Sequence, residues 1–123
     1  MLNQQQQFGR KSESLAVKHL KKQGYRIVEQ NYRTNLGEID IIAKEKDTLV
    51  FVEVKARNSS RFGNPKGAVT PKKKRKISMV ALQYLKNNRQ TNAKARFDVV
   101  AISLSGSFPK IELVKNAFEL AYP

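Results

Sequence analysis

Two apolar segments carry carboxylates where a buried strand should carry none. They are Gly37-Glu38-Ile39-Asp40-Ile41-Ile42-Ala43 and Leu49-Val50-Phe51-Val52-Glu53-Val54-Lys55. The chain has only ten acidic residues against 24 basic ones, yet Glu38, Asp40 and Glu53 all fall inside its most apolar stretches. A buried carboxylate is costly unless it is paired or bound to a metal. Strand side chains alternate between faces. On the second segment Leu49, Phe51, Glu53 and Lys55 therefore share one face. On the first, Glu38, Asp40 and Ile42 share a face opposite Ile39 and Ile41. A hairpin loop over 45–48 would set Lys44 opposite Leu49, Asp40 opposite Glu53 and Glu38 opposite Lys55. Like charges directly across a ladder repel, and a cation between them removes the conflict. Mg²⁺, or Mn²⁺ in its place, suits hard oxygen ligands and needs few protein carboxylates. A slip of one residue would put Asp40 and Glu53 on opposite faces, so the reading depends on register.

Lys55 stands two residues from Glu53 on the same face. An amine there could hold a water nucleophile or offset charge on a phosphate. Glu13 lies beside the apolar stripe of a predicted first helix and could reach the same point as a further ligand or a supporting acid. The competing reading is a Glu–Lys ion pair on a solvated sheet face. Asp98, also in an apolar strand, reads as a structural acid with Arg96 or another basic group as partner.

These residues need a frame. The spacing of Leu15, Ala16 and Leu20 predicts a helix over 8–23, with Gly24 as a left-handed cap and 4–7 as a frayed start. A strand follows over 25–32, then the two acid-bearing strands. Residues 58–71, rich in Pro, Gly, Asn and Ser, read as a surface loop. Thr70 caps a second helix with Pro71 at its first position. Ile77, Val80, Ala81, Tyr84 and Leu85 give that helix a core-facing stripe. Strands over 97–104 and 111–114 follow, and Asn116 would cap a short final helix over 117–122. The expected fold is α/β or α+β: a mixed sheet flanked by helices in a single domain, 1–123.

With a formal net charge of +14 and no cysteine, the chain excludes disulfides, thiol nucleophiles and cysteine–zinc sites. A single histidine, His19, leaves no basis for a histidine metal cage. The N-terminus shows no signal-peptide pattern and no segment is long enough to span a membrane, so a cytoplasmic protein without membrane contact is expected. The charge calls for a polyanionic partner, with nucleic acid first. The run Lys72-Lys73-Lys74-Arg75-Lys76 opens the second helix, where basic charge opposes the helix dipole. It reads as a phosphate-contacting patch, which Arg57, Arg61 and Lys66 would extend. The alternative is a solvated face.

An acid on an opening helix, an Asp ending one strand and Glu-x-Lys in the next resemble the PD-(D/E)XK nuclease-like superfamily. Glu13, Asp40, Glu53 and Lys55 match its pattern in order and spacing, although Ile39 replaces the motif's Pro. Within it the chain resembles the YraN-like family of small bacterial proteins. The matching stretches are Gly37 to Asp40, Phe51-Val52-Glu53-Val54-Lys55-Ala56-Arg57, Arg96-Phe97-Asp98-Val99-Val100 and Asn116-Ala117-Phe118. The resemblance implies a restriction-endonuclease-like αβββαβ core, similar to Holliday-junction resolvases. It also implies metal-dependent DNA cleavage, branched structures included, with a two-fold dimer on symmetric junctions. Two other readings stand beside it: a nucleic-acid-binding module without hydrolysis, and a basic adaptor for an acidic protein.

Overall fold

The computed structural model describes residues 2–57, 69–104 and 106–120. Helix α1 (Gln4–Lys22) begins earlier than its apolar stripe suggests. Asn3 caps it: its Oδ1 accepts from the Gln6 N–H at 2.8 Å, and Gln6 Oε1 accepts from the Asn3 N–H at 3.1 Å. This capping box satisfies two of the free donors at the helix start, so 4–7 is helix rather than a frayed end. At the other end Gly24 adopts φ 93°, and the Tyr25 N–H closes back on the Leu20 carbonyl.

Strands β1 (Arg26–Thr34), β2 (Gly37–Glu45) and β3 (Thr48–Arg57) form an antiparallel meander. Helix α2 (Pro71–Asn87) then carries the chain to β4 (Lys94–Ser103), which pairs parallel with β3. Strand β5 (Lys110–Phe118) returns antiparallel to β4. The sheet order is β1-β2-β3-β4-β5. The result is an α+β fold with a five-stranded mixed sheet between two helices, the layout of a restriction-endonuclease-like core.

Each sheet face is apolar because each is covered. Ala16 and Leu20 of α1 pack on Ile41, Val50, Val52, Val100 and Ile102. Ile77, Val80, Ala81 and Tyr84 of α2, the stripe expected from the sequence, pack on Ile39, Ile42, Phe51, Phe97 and Val99. Each buried Val, Leu, Ile or Phe among them contributes roughly 1.5–3 kcal/mol. Tyr84 meets Tyr32 and Phe51 edge-on, at 5.2 and 5.8 Å between ring centroids. Gly37 takes φ 150°, a backbone conformation that side chains with a Cβ rarely adopt, where β2 begins beneath Val80 of α2.

The chain does not form a final helix at 117–120, contrary to the sequence reading. Asn116 takes φ 52° within β5, and the β4–β5 register shifts between Phe97 and Val99. The left-handed residue is therefore a strand irregularity, after which Phe118 rejoins the ladder opposite Phe97. Residues 121 and 122 of that expected helix lie outside the described residues.

Candidate metal and nucleic-acid site

The β2–β3 hairpin has the expected register, with Lys44 opposite Leu49 and Glu45 opposite Thr48. The ladder ends at Ile41 opposite Val52. One step beyond, Asp40 and Glu53 meet. Asp40 Oδ2 accepts from the Val54 N–H at 2.8 Å, so a carboxylate replaces the next ladder bond. The Glu53 and Asp40 carboxyls lie within hydrogen-bonding reach of each other.

The face assignment for β2 needs correction. Ile39 and Ile42 lie in the same cluster under α2, while Ile41 belongs to the α1 side. Simple alternation breaks around Asp40. The cause is the parting of the strands: past Ile41, β2 leaves β3 but stays paired with β1, where Tyr32 opposes Ile39. Asp40 consequently faces a groove under α1, while Glu53 keeps the α2 side of Leu49 and Phe51 and reaches Lys73. The carboxyls meet where the sheet splits.

Glu53 is only 6% exposed. Burial pushes its pKa up to about 8, and the adjacent Asp40 charge adds to this, while Lys73 and Lys55 pull it back. Burial raises Asp40 as well, opposed first by the Val54 N–H. Two adjacent carboxyls with so little water offer hard oxygen donors close together. That donor set fits a small divalent ion, which would offset their charge.

Glu13, Asp40, Lys55 and Arg57 line one groove of about 290 Å³, together with Phe8. Glu13 is raised first by burial, then by Asp40 and Glu38, and is lowered by Arg33. It does not converge with the other two acids: among the described residues, no three acidic or histidine side chains gather closely enough to hold an ion. Its nearest support is Asn31. With the amide nitrogen turned toward the acids, Asn31 donates to Glu13 Oε1 at 2.7 Å and to Glu38 Oε1 at 3.1 Å. Asn31 holds φ 53° in the middle of β1, a conformation that Asn tolerates better than most residues. Sequence reading passed over it; an Asn inside an otherwise extended run was the available signal. Glu38 pairs with Arg33 across β1, 3.3 Å away, rather than with Lys55 across the hairpin.

The side chains of the basic run do not all have the same surroundings. Lys73 Nζ lies 3.7 Å from Glu53 Oε1, and Lys74 Nζ lies 5.7 Å from the centre of the Phe118 ring. Lys72, Arg75 and Lys76 are exposed. Arg57 is exposed at the groove, while Arg61 and Lys66 lie outside the described residues.

Asp98 is fully buried and structural. It accepts from Tyr25 Oη at 2.7 Å, Arg96 Nε at 3.0 Å and the Asn116 N–H at 2.9 Å. Arg96 also reaches Glu45, which Lys115 holds at 2.8 Å. This network ties the α1–β1 corner to β4 and β5, away from the groove.

Among known proteins, the sequence pattern of the family described as "Uncharacterised protein family UPF0102" matches residues 12–102. A UPF0102 protein of Desulfosudis oleivorans is 55% identical over 97% of this chain and 95% of its own length. One of Syntrophus aciditrophicus is 51% identical over 98% and 95%. Among solved structures, "The structure of Pyrococcus Furiosus SfsA in complex with Ca2+" aligns with a TM-score of 0.41 and 14% identity. That alignment covers 94% of this chain and 63% of SfsA. No helix among the described residues is long and apolar enough to cross a membrane. The Gly37-to-Asp40 and Glu53-to-Lys55 motifs that suggested a YraN-like protein both fall inside the matched span, and the chain belongs to the UPF0102 family.

Proposed function

We propose that this protein is a divalent-metal-dependent phosphodiester hydrolase acting on nucleic acid, DNA foremost, including branched or otherwise structured forms. One observation carries the reading: buried Glu53 and half-buried Asp40 bring two carboxyls together at the split between β2 and β3. Asp40 and Glu53 would hold Mg²⁺ or Mn²⁺, with Glu13 acting from across the groove through water. A bound ion of this kind acidifies water and offsets negative charge on a phosphate.

The chain's own groups do the rest. The Val54 N–H fixes the Asp40 carboxylate so that its other oxygen stays available. Lys55, in the same groove, holds the attacking water or the phosphate oxygen that gains charge. Asn31 fixes Glu13. Lys72, Arg75, Lys76 and Arg57, extended by Arg61 and Lys66, contact backbone phosphates, so sequence preference is slight. The +14 charge supports that partner, and the lack of cysteine suits the reducing cytoplasm. Symmetric junctions would favour a two-fold dimer.

A second reading, binding without hydrolysis, is favoured by one feature: among the described residues only two acids converge, and a lysine already stands at one of them. A nicking assay separates the two. Wild-type protein is incubated with linear, flapped and four-way DNA in Mg²⁺, Mn²⁺ or EDTA, beside Glu53→Ala and Lys55→Met. Metal-dependent cutting lost in both variants, with DNA binding retained, supports hydrolysis. Binding without cutting by the wild type in every metal supports the module.

A further inference from the structure

Lys73 is paired with an acid. It stands in the first turn of α2, where Thr70 Oγ1 accepts from its backbone N–H at 3.2 Å and anchors the turn. A cation there works against the helix dipole. Its neighbours Lys72, Arg75 and Lys76 point to solvent, and Lys74 lies on Phe118. Among the described residues, Lys73 alone of the five reaches an acid: its ammonium stands 3.7 Å from Glu53 Oε1, on the carboxyl that neighbours Asp40. It brings positive charge to the point where the acid pair concentrates negative charge. Its side chain is 44% exposed, so the long stem has room to withdraw.

We propose that Lys73 is a built-in occupant of the ion site: its ammonium stands in for the divalent ion at Glu53 and must yield when that ion binds. This rests on the metal reading above. An ion at the acid pair carries two positive charges, and the Lys73 ammonium repels it across the same short distance. Removing the lysine therefore favours ion binding. The residue thus sets a threshold, keeping the two acids together and balanced at low ion concentration. It acts through Glu53, as a positioning residue.

The test is Mn²⁺ binding by calorimetry on the full chain: wild type, Lys73→Met, Lys73→Arg and the control Lys72→Met, each checked for an unchanged circular dichroism spectrum. Lys73→Met is expected to bind Mn²⁺ at least about fivefold tighter, the low end of coupling between two bound charges. Lys73→Arg should stay near wild type because it keeps the cation, and Lys72→Met should stay there because its charge is not at the site. Wild-type binding that Lys73→Met leaves unchanged or weakens overturns the proposal and leaves the metal reading standing. Equal tightening by Lys72→Met also overturns it, since general charge would then be the cause. Absence of Mn²⁺ binding in wild type and Lys73→Met alike overturns both.

Discussion

Replacing Glu53 by Gln should change how stability depends on pH more than it changes the fold. Gln has nearly the same shape and can still donate to Asp40, but it cannot ionise. In the folded wild type the Glu53 carboxyl is raised from 4.5 to about 8, by burial first and Asp40 second. Between those values the folded chain keeps a proton that the unfolded chain has released. Wild-type stability is therefore greatest below about pH 4.5 as far as this group goes, and it falls as pH rises toward 8. The full interval corresponds to on the order of 5 kcal/mol. Asp40 and Glu13 are raised too, so they slope the same way. Glu45 and Asp47 are lowered, by Lys115 and Lys94 respectively, so their contributions are lost only as pH falls below the usual carboxylate range. A window from pH 5 to 8.5 thus isolates the raised acids. Urea unfolding in EDTA should show the wild-type midpoint dropping across this window and that of Glu53→Gln dropping far less. At pH 8.5 the variant should be the more stable protein. A wild-type midpoint that is level or rising, or a variant that follows the same slope, would refute the reasoning.

Other substitutions probe the surroundings. Asp98→Ala leaves Arg96 and the Asn116 N–H without their buried acceptor and should cost about 3–5 kcal/mol in urea unfolding. Tyr25→Phe, which removes one of the donors, should cost only about 1–2 kcal/mol. Asn31→Gly keeps the left-handed conformation and loses only the amide; Asn31→Ala loses both and should be less stable than Asn31→Gly by about 1 kcal/mol. Equal stabilities would mean that β1 relaxes there. Neutralising Lys72, Arg75 and Lys76 together should leave the melting temperature nearly unchanged. It should reduce the slope of log affinity for DNA against log salt by roughly 2–3. An unchanged slope would remove the outer face of α2 from the DNA interface.

Much of this architecture could be read from the residues. The α2 stripe, the Thr70–Pro71 start and the Gly24 cap are local signals, and local physics decides them. The hairpin register also followed from the polar loop, which is why Asp40 and Glu53 could be paired before any coordinates. Pairing on one ladder could not be extended past its end. The strand split at Ile41 is a tertiary event: β2 stays with β1 and abandons β3, so the alternation rule fails from Asp40 to Ile39. Glu38 was assigned to Lys55 on the same false assumption, whereas its partner Arg33 lies on β1. Asn116 looked like a helix cap because Asn serves both caps and left-handed irregularities; only Asp98, which accepts from its N–H, decides between them. The pairing of Lys73 with Glu53 had no local signal, since a run of five basic residues gives each the same appearance.

The central claim is that Asp40 and Glu53 together bind one divalent ion. Titration of the full chain with Mn²⁺, followed by calorimetry or by loss of the free-ion electron paramagnetic resonance signal, tests it most directly. The expected result is one ion per chain, with affinity lowered more than about tenfold in Asp40→Asn, whose amide oxygen can still accept from Val54. A wild type that leaves Mn²⁺ free in solution, or an Asp40→Asn variant that binds it equally well, would contradict the account.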